Sequence, residues 1–237
     1  MAPALRLTRA LVDRLPERVD ERGPVRWPDP PDEYFRETTL KIIGRLGGED
    51  LWVFAIGSLI WKPRFPVVER RPALVRGWHR AFCIGPDNRH RGNPAAPGLM
   101  LSLDRGGQCH GIAMRMDPAD PAASLEALLR LEPPLPPRWV RAVTSEGAVP
   151  AIAFASERRH FSYAGRLSEA EVADRLALAV GHVGSMPDYL LNTITHLQEA
   201  GIHDRALWRM QALVAERLEK MPAPPVIDQE ETRHAGA

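Results

Sequence analysis

A short apolar run, Leu51-Trp52-Val53-Phe54, broken at Gly57-Ser58 and resumed at Leu59-Ile60-Trp61, is the tightest constraint on how this chain folds. Four successive apolar residues suit a strand buried on both faces. A glycine placed inside such a pattern marks a bulge, or a point where another backbone or a ligand comes close. Two readings of the break are open. In one, Gly57 and Ser58 only form a turn. In the other, the backbone N–H groups of Gly57, Ser58 and Leu59 turn outward and hold a carboxylate or a developing oxyanion.

Further strand candidates follow at short intervals: Pro72–Trp78, Arg80–Ile84, Leu99–Asp104 and Cys109–Met116, the last two divided by Arg105-Gly106-Gly107. A later pair is expected at Arg138–Thr144 and Val149–Ala155, turning near Ser145-Glu146-Gly147. Helices are expected over Asp32–Leu46, Ala119–Glu132, Ser168–Gly181, Pro187–Ala200 and Asp204–Met221. The third opens on Ser168 with Glu171 three residues on, a capping box. Pro28, Pro30 and Pro31 argue against regular structure before residue 35. This cadence predicts an α+β fold: a small mixed or antiparallel β-barrel with flanking helices.

The charge balance, 31 Lys and Arg against 30 Asp and Glu, gives no reason to expect nucleic acid or an anionic membrane as a partner. No apolar run reaches the roughly 20 residues of a membrane span, and the Leu/Arg alternation at residues 5–9 lacks a secretory core. Two isolated cysteines, Cys83 and Cys109, point to a reducing compartment, hence a cytoplasmic protein, and not to a disulfide framework. Neither has a CxxC partner, so zinc is not expected. No GxSxG elbow, phosphate loop or GxGxxG occurs. His182 and His196 are expected on helices in structural roles. The polar loop at residues 86–94 is either solvated or binds an anion through Arg89 or Arg91.

One carboxylate stands out. Leu125, Leu128, Leu129 and Glu132 share a helix face, which aligns Glu132 with an apolar stripe. Pro133 places it at or just beyond the helix C-terminus. Burial and the negative end of the helix dipole both disfavour its charged form. Such a Glu can take up and return a proton near neutrality. Alternatively it turns to solvent from a frayed helix end. Glu126 and Arg130 form a surface pair on the other side.

Taken together, the stretches WVFAIGSLIWKPRFPV (52–67), RRPALVRGWHRAFC (70–83), HRGNPAAPGLMLSLDRGGQCHGIAMRM (90–116), PRWV (137–140), YAGRLS (163–168) and MPDYLLNTITHLQEAGIHD (186–204) resemble the ChaC-type, glutathione-specific γ-glutamylcyclotransferases. The resemblance implies a mixed fold around a small barrel and a reaction without water, metal or cofactor. The α-amine of a γ-glutamyl group attacks its own side-chain carbonyl, giving 5-oxoproline and the released amine, which is cysteinylglycine when glutathione is cleaved. The partner implied is therefore a small γ-glutamyl compound; oligomeric state is left open. The family's catalytic glutamate falls on Glu132 and its head-group loop on Ile56, Gly57, Ser58 and Leu59. Arg91 and Tyr163, within two of the matching stretches, are taken with that loop as substrate-binding residues.

Three departures accompany the match. Ile56 replaces the loop tyrosine, Leu131 replaces an arginine, and Pro133-Pro134-Leu135-Pro136 replaces a longer loop. They motivate an alternative: a family member that binds a γ-glutamyl or acidic ligand, or a protein partner, without turnover. The domain division expected is an extension over 1–49, partly extended and with one helix, a γ-glutamylcyclotransferase-like domain over 50–221, and a flexible tail over 222–237.

Overall fold

The structure is a computed structural model and describes residues 4–25, 29–133 and 135–222. The expected tail lies, but for its first residue, outside the described residues. Five strands close a barrel in the order β1-β3-β2-β4-β5: β1 Trp52–Ala55, β2 Val67–Asp87, β3 Gly98–Met116, β4 Arg138–Thr144 and β5 Gly147–Ala153. Neighbours are antiparallel except β1 and β5, which close the barrel in parallel, with Trp52 opposite Ala151. Closure removes the unpaired sheet edges that an open sheet of this size would leave.

Four of the expected strands merge into two. Pro72–Trp78 and Arg80–Ile84 both lie in β2, and Leu99–Asp104 and Cys109–Met116 both lie in β3. Arg105-Gly106-Gly107 does not end the strand. Pairing steps from Arg76–Gln108 to Trp78–Arg105, so Gly106 and Gly107 are absorbed as a bulge. Their φ values of 103° and 68° are open to glycine at little cost.

Alternation along β1 divides the core in two. Trp52 and Phe54 point inward, where they pack among Ala73, Ala113, Ala142, Ala151 and Ala153. Val53 and Ala55 point outward into a larger core shared with the helices. Those helices are α1 Arg9–Val12, α2 Asp32–Leu46, α3 Pro121–Leu131, α4 Glu169–Leu178, α5 Met186–Glu199 and α6 Arg205–Lys220. The Ser168–Glu171 capping box is present at α4. That helix stops three residues short of the expected Gly181, because Val180-Gly181 pairs with Gly184-Ser185 as the two-stranded β6–β7 hairpin. His182 therefore lies in a turn and not on a helix, its Nδ1 against the Arg89 carbonyl. His196 is on α5, stacked on Trp61.

The extension is more ordered than its prolines suggested. Thr8 caps α1 by accepting from the Leu11 N–H, and Leu7 and Val12 are buried.

Candidate active site

The break after β1 becomes a single 3-10 turn, Ser58–Ile60, closed by the Ile60 N–H donating to the Gly57 carbonyl at 2.8 Å. Ile56 follows the inward alternation and packs against the barrel interior, away from the helices. Its carbonyl accepts from Arg80 Nε at 2.8 Å. Arg80 also donates to the His110 carbonyl at 2.7 Å and pairs with Asp204, the N-cap of α6. Its side chain is 1% exposed. One buried guanidinium thus ties the bend to β3 and to the start of a helix.

Tyr189 of α5 occupies the hollow of the bend. A Cβ on Gly57 would collide with its hydroxyl, so glycine is what admits the phenol. The hydroxyl also lies in the field of the Ser58 N–H, which favours its charged form. Burial outweighs this and pushes the phenol up to about 12, so it stays protonated at neutral pH. Trp61 and Phe82 meet its ring edge-on at 5.5 and 6.5 Å. Arg91 covers its face at 4.9 Å, donates to the Ser185 carbonyl at 3.1 Å, and is itself lowered by burial.

Glu132 caps the C-terminus of α3, its N–H donating to the Leu128 carbonyl at 3.1 Å. Leu125, Leu128 and Leu129 are buried on the face below it, and Glu126 pairs with Arg130 at 2.7 Å on the other side. Glu132 itself is half-buried. Burial pushes its carboxyl up to about 7, against a small opposing pull from Arg64. Its charge raises the Tyr189 phenol in turn, so the carboxyl and the hydroxyl at the bend share one electrostatic environment. Leu59 and Leu128 belong to the same continuous core. Tyr189 is thus the common neighbour of Gly57, Ser58 and Arg91, and is electrostatically coupled to Glu132.

Tyr163 stands elsewhere. It lines a cleft of about 480 Å³ with Asp104, Arg158, Phe82 and Leu101, a cleft that includes neither Glu132 nor Gly57–Leu59. Its hydroxyl donates to Asp104 at 2.9 Å, and Arg158 donates to both oxygens of that carboxylate. The Asp104 and Arg158 charges in that network are paired with each other. Glu132 differs from that network: among the described residues its half-buried carboxyl makes no salt bridge. Arg89 does not face an anion: it donates to the Gly23 carbonyl. Leu131 is 59% exposed beside Glu132.

Tyr189 and Arg80 escaped the sequence reading. Tyr189 had a signal of the kind that singled out Glu132: Met186, Tyr189, Leu190, Thr193 and Leu197 trace one buried helix face, and a hydroxyl in such a stripe needs a reason. Arg80 had none, because a buried arginine in a strand looks like any surface one until its partners are known. Among the described residues no helix is long and apolar enough to cross a membrane, and no group of three or more His, Cys, Asp or Glu is placed to hold a metal ion.

A family model for ChaC-like proteins matches residues 51–217. The chain belongs to the ChaC-like family. Among its curated relatives, the glutathione-specific gamma-glutamylcyclotransferase of Escherichia coli K12 is 32% identical over 161 residues, which is 66% of this chain and 69% of the relative. Gamma-glutamylcyclotransferase 2-3 of Arabidopsis thaliana is 30% identical over 169 residues, 65% of this chain and 83% of the relative. The ChaC-like fold is also seen in the crystal structure of the glutathione-specific cyclotransferase from yeast. That structure superposes with a TM-score of 0.62 at 20% identity, covering 72% of this chain and 100% of the other.

Proposed function

We propose that this ChaC-like protein is a γ-glutamylcyclotransferase that cleaves glutathione, or a related γ-glutamyl amide, to 5-oxoproline and the released amine, with Glu132 moving the proton. The observation that carries the reading is the half-buried Glu132 carboxyl, pushed up to about 7 and electrostatically joined to the Gly57–Ser58 bend through Tyr189. Relatives bearing the name of this activity support it.

The γ-glutamyl group binds folded, its α-amine against its own Cδ carbonyl. Glu132 in its carboxylate form accepts a proton from the amine as nitrogen attacks carbon. The carbonyl π electrons move onto oxygen. The protonated Tyr189 hydroxyl, met from behind by the Ser58 N–H, donates to that oxygen. The C–N bond to the leaving amine then breaks, and Glu132 returns the same proton to the departing nitrogen. Nothing is hydrolysed, and the carboxylate is regenerated. Because both reacting atoms belong to one molecule, holding them in contact supplies a large part of the acceleration. A carboxyl poised near neutrality serves both transfers, since neither protonation state is costly to reach. Arg91 supplies positive charge for the substrate's α-carboxylate.

The test is incubation of the purified protein with glutathione and a panel of γ-glutamyl peptides and amines, with chromatographic detection of 5-oxoproline. Glu132→Gln should fold and release none. Release of no 5-oxoproline from any member of the panel by the wild-type protein would remove the proposal; thermal stabilisation by those compounds in that case would identify a binding protein.

A further inference from the structure

Residues 1–50 lie outside the family match, yet the extension is seated against the wall of the site. Leu7 is fully buried and its N–H donates to the buried Gln211 Oε1 at 2.8 Å. Arg14 Nη1 donates to the Leu218 carbonyl at 2.7 Å. These contacts anchor the strap to α6.

Other contacts carry it to the bend. Arg9 Nη1 meets Asp188 Oδ1 at 2.7 Å. Asp188 lies in the first turn of α5, one residue before Tyr189, and its Oδ2 is 3.9 Å from Arg91 Nη1. Oδ1 also accepts from Asn192 at 3.0 Å. The carboxylate is thereby fixed with one oxygen toward the extension and one toward Arg91, whose guanidinium lies on the Tyr189 ring. From the other side, the Gly23 N–H donates to the Asn88 carbonyl at 2.8 Å and Arg89 donates back to Gly23. The Val19 N–H donates to the Gly181 carbonyl at 3.2 Å. These bonds hold the loop bearing Arg91 and the hairpin that leads into α5.

We propose that residues 5–23 are a built-in brace of the γ-glutamyl site, in which Arg9 is a positioning residue that acts through Asp188 and Arg91 to hold Tyr189 in the Gly57–Ser58 bend. The inference rests on the functional reading above for its kinetic consequence and on the contacts alone for its structural one.

Both consequences are tested on the full chain with Arg9→Ala, Arg9→Lys and a control, Lys41→Ala, which breaks an exposed ion pair with Glu37 on the surface of α2. In hydrogen–deuterium exchange, Arg9→Ala should speed exchange across residues 56–61, and the control should not. With glutathione, KM should rise about fivefold with kcat within about twofold, the scale of one partly exposed pair acting at one remove. Arg9→Lys should recover part of both effects. An Arg9→Ala protein that matches the control in exchange and in KM overturns the brace, as does one whose exchange rises evenly over the whole chain. If the wild-type protein releases no 5-oxoproline, the functional reading fails by itself, and exchange at residues 56–61 still decides the brace.

Discussion

Replacing Glu132 with glutamine should make the protein more stable, and increasingly so as pH rises. The carboxyl is pushed from its ordinary 4.5 to about 7 by burial. Below pH 4.5 it is protonated in both the folded and unfolded chains and contributes nothing to the difference. Between 4.5 and about 7 the unfolded chain has released the proton while the folded chain still holds it. The unfolded state then binds fewer protons, so stability falls as pH climbs through this window. Above about 7 the folded protein carries a buried carboxylate, and the loss is complete. At about 1.4 kcal/mol for each tenfold change, the rise from 4.5 to about 7 amounts to at most about 3.5 kcal/mol, and less because Glu132 is only half-buried. Glutamine has nearly the same shape and does not ionise. Urea unfolding of both proteins at pH 5, 6, 7 and 8 should therefore show the variant gaining steadily on the wild type, while 5-oxoproline release is lost. Subtracting the two series removes every other titrating group. A stability difference that stays constant from pH 5 to 8 would mean that this carboxyl ionises like any solvated glutamate, and the proton-transfer role would fall with it.

Other substitutions probe the same site. In the wild type, kcat/KM for glutathione should rise through pH about 7 as Glu132 loses its proton, a limb absent if another group is the base. Gly57→Ala should cost about 1–3 kcal/mol by overpacking, since the new methyl meets the Tyr189 hydroxyl, and should lower activity with it; a fully active variant in thermal melts and turnover assays would refute the packing. Tyr189→Phe should fold and lose kcat by about tenfold or more if the hydroxyl stabilises the oxyanion; unchanged kcat would confine the ring to a packing role. Arg80→Met should destabilise by about 3–5 kcal/mol, because it leaves Asp204 without its cation. Adding Asp204→Asn, still a competent helix cap, should recover part of the loss in the melting temperature; no recovery would show that the pair is not coupled.

Much of the framework was legible because it rests on local rules. The helix at Asp32–Leu46 has the expected limits, and the cap at Ser168 follows directly from its own four residues. The turn after Thr144 is likewise where its glycine required it. What local rules missed was decided by pairing. Arg105-Gly106-Gly107 has the chemistry of a turn, yet strand β2 runs alongside and converts it to a bulge. Gly181 belongs to a hairpin because a partner strand lies three residues on. Within the site, Glu132 was visible as a charge in an apolar stripe. The Tyr189–Gly57 contact was not, since two segments more than a hundred residues apart must meet before a glycine and a phenol acquire a common meaning.

The alanine-lined interior of the barrel sets a limit on how a protein of this design can acquire new substrates. Ala73, Ala113, Ala142, Ala151 and Ala153 pack with Trp52 and Phe54, so a bulkier residue at any of these alanines overpacks the interior. Variation in ligand choice is therefore easiest at the outer rim, where the side chain at position 131 is 59% exposed and can change without touching a strand. A library built on such rim positions, with the cylinder held constant, is the economical way to redirect this scaffold.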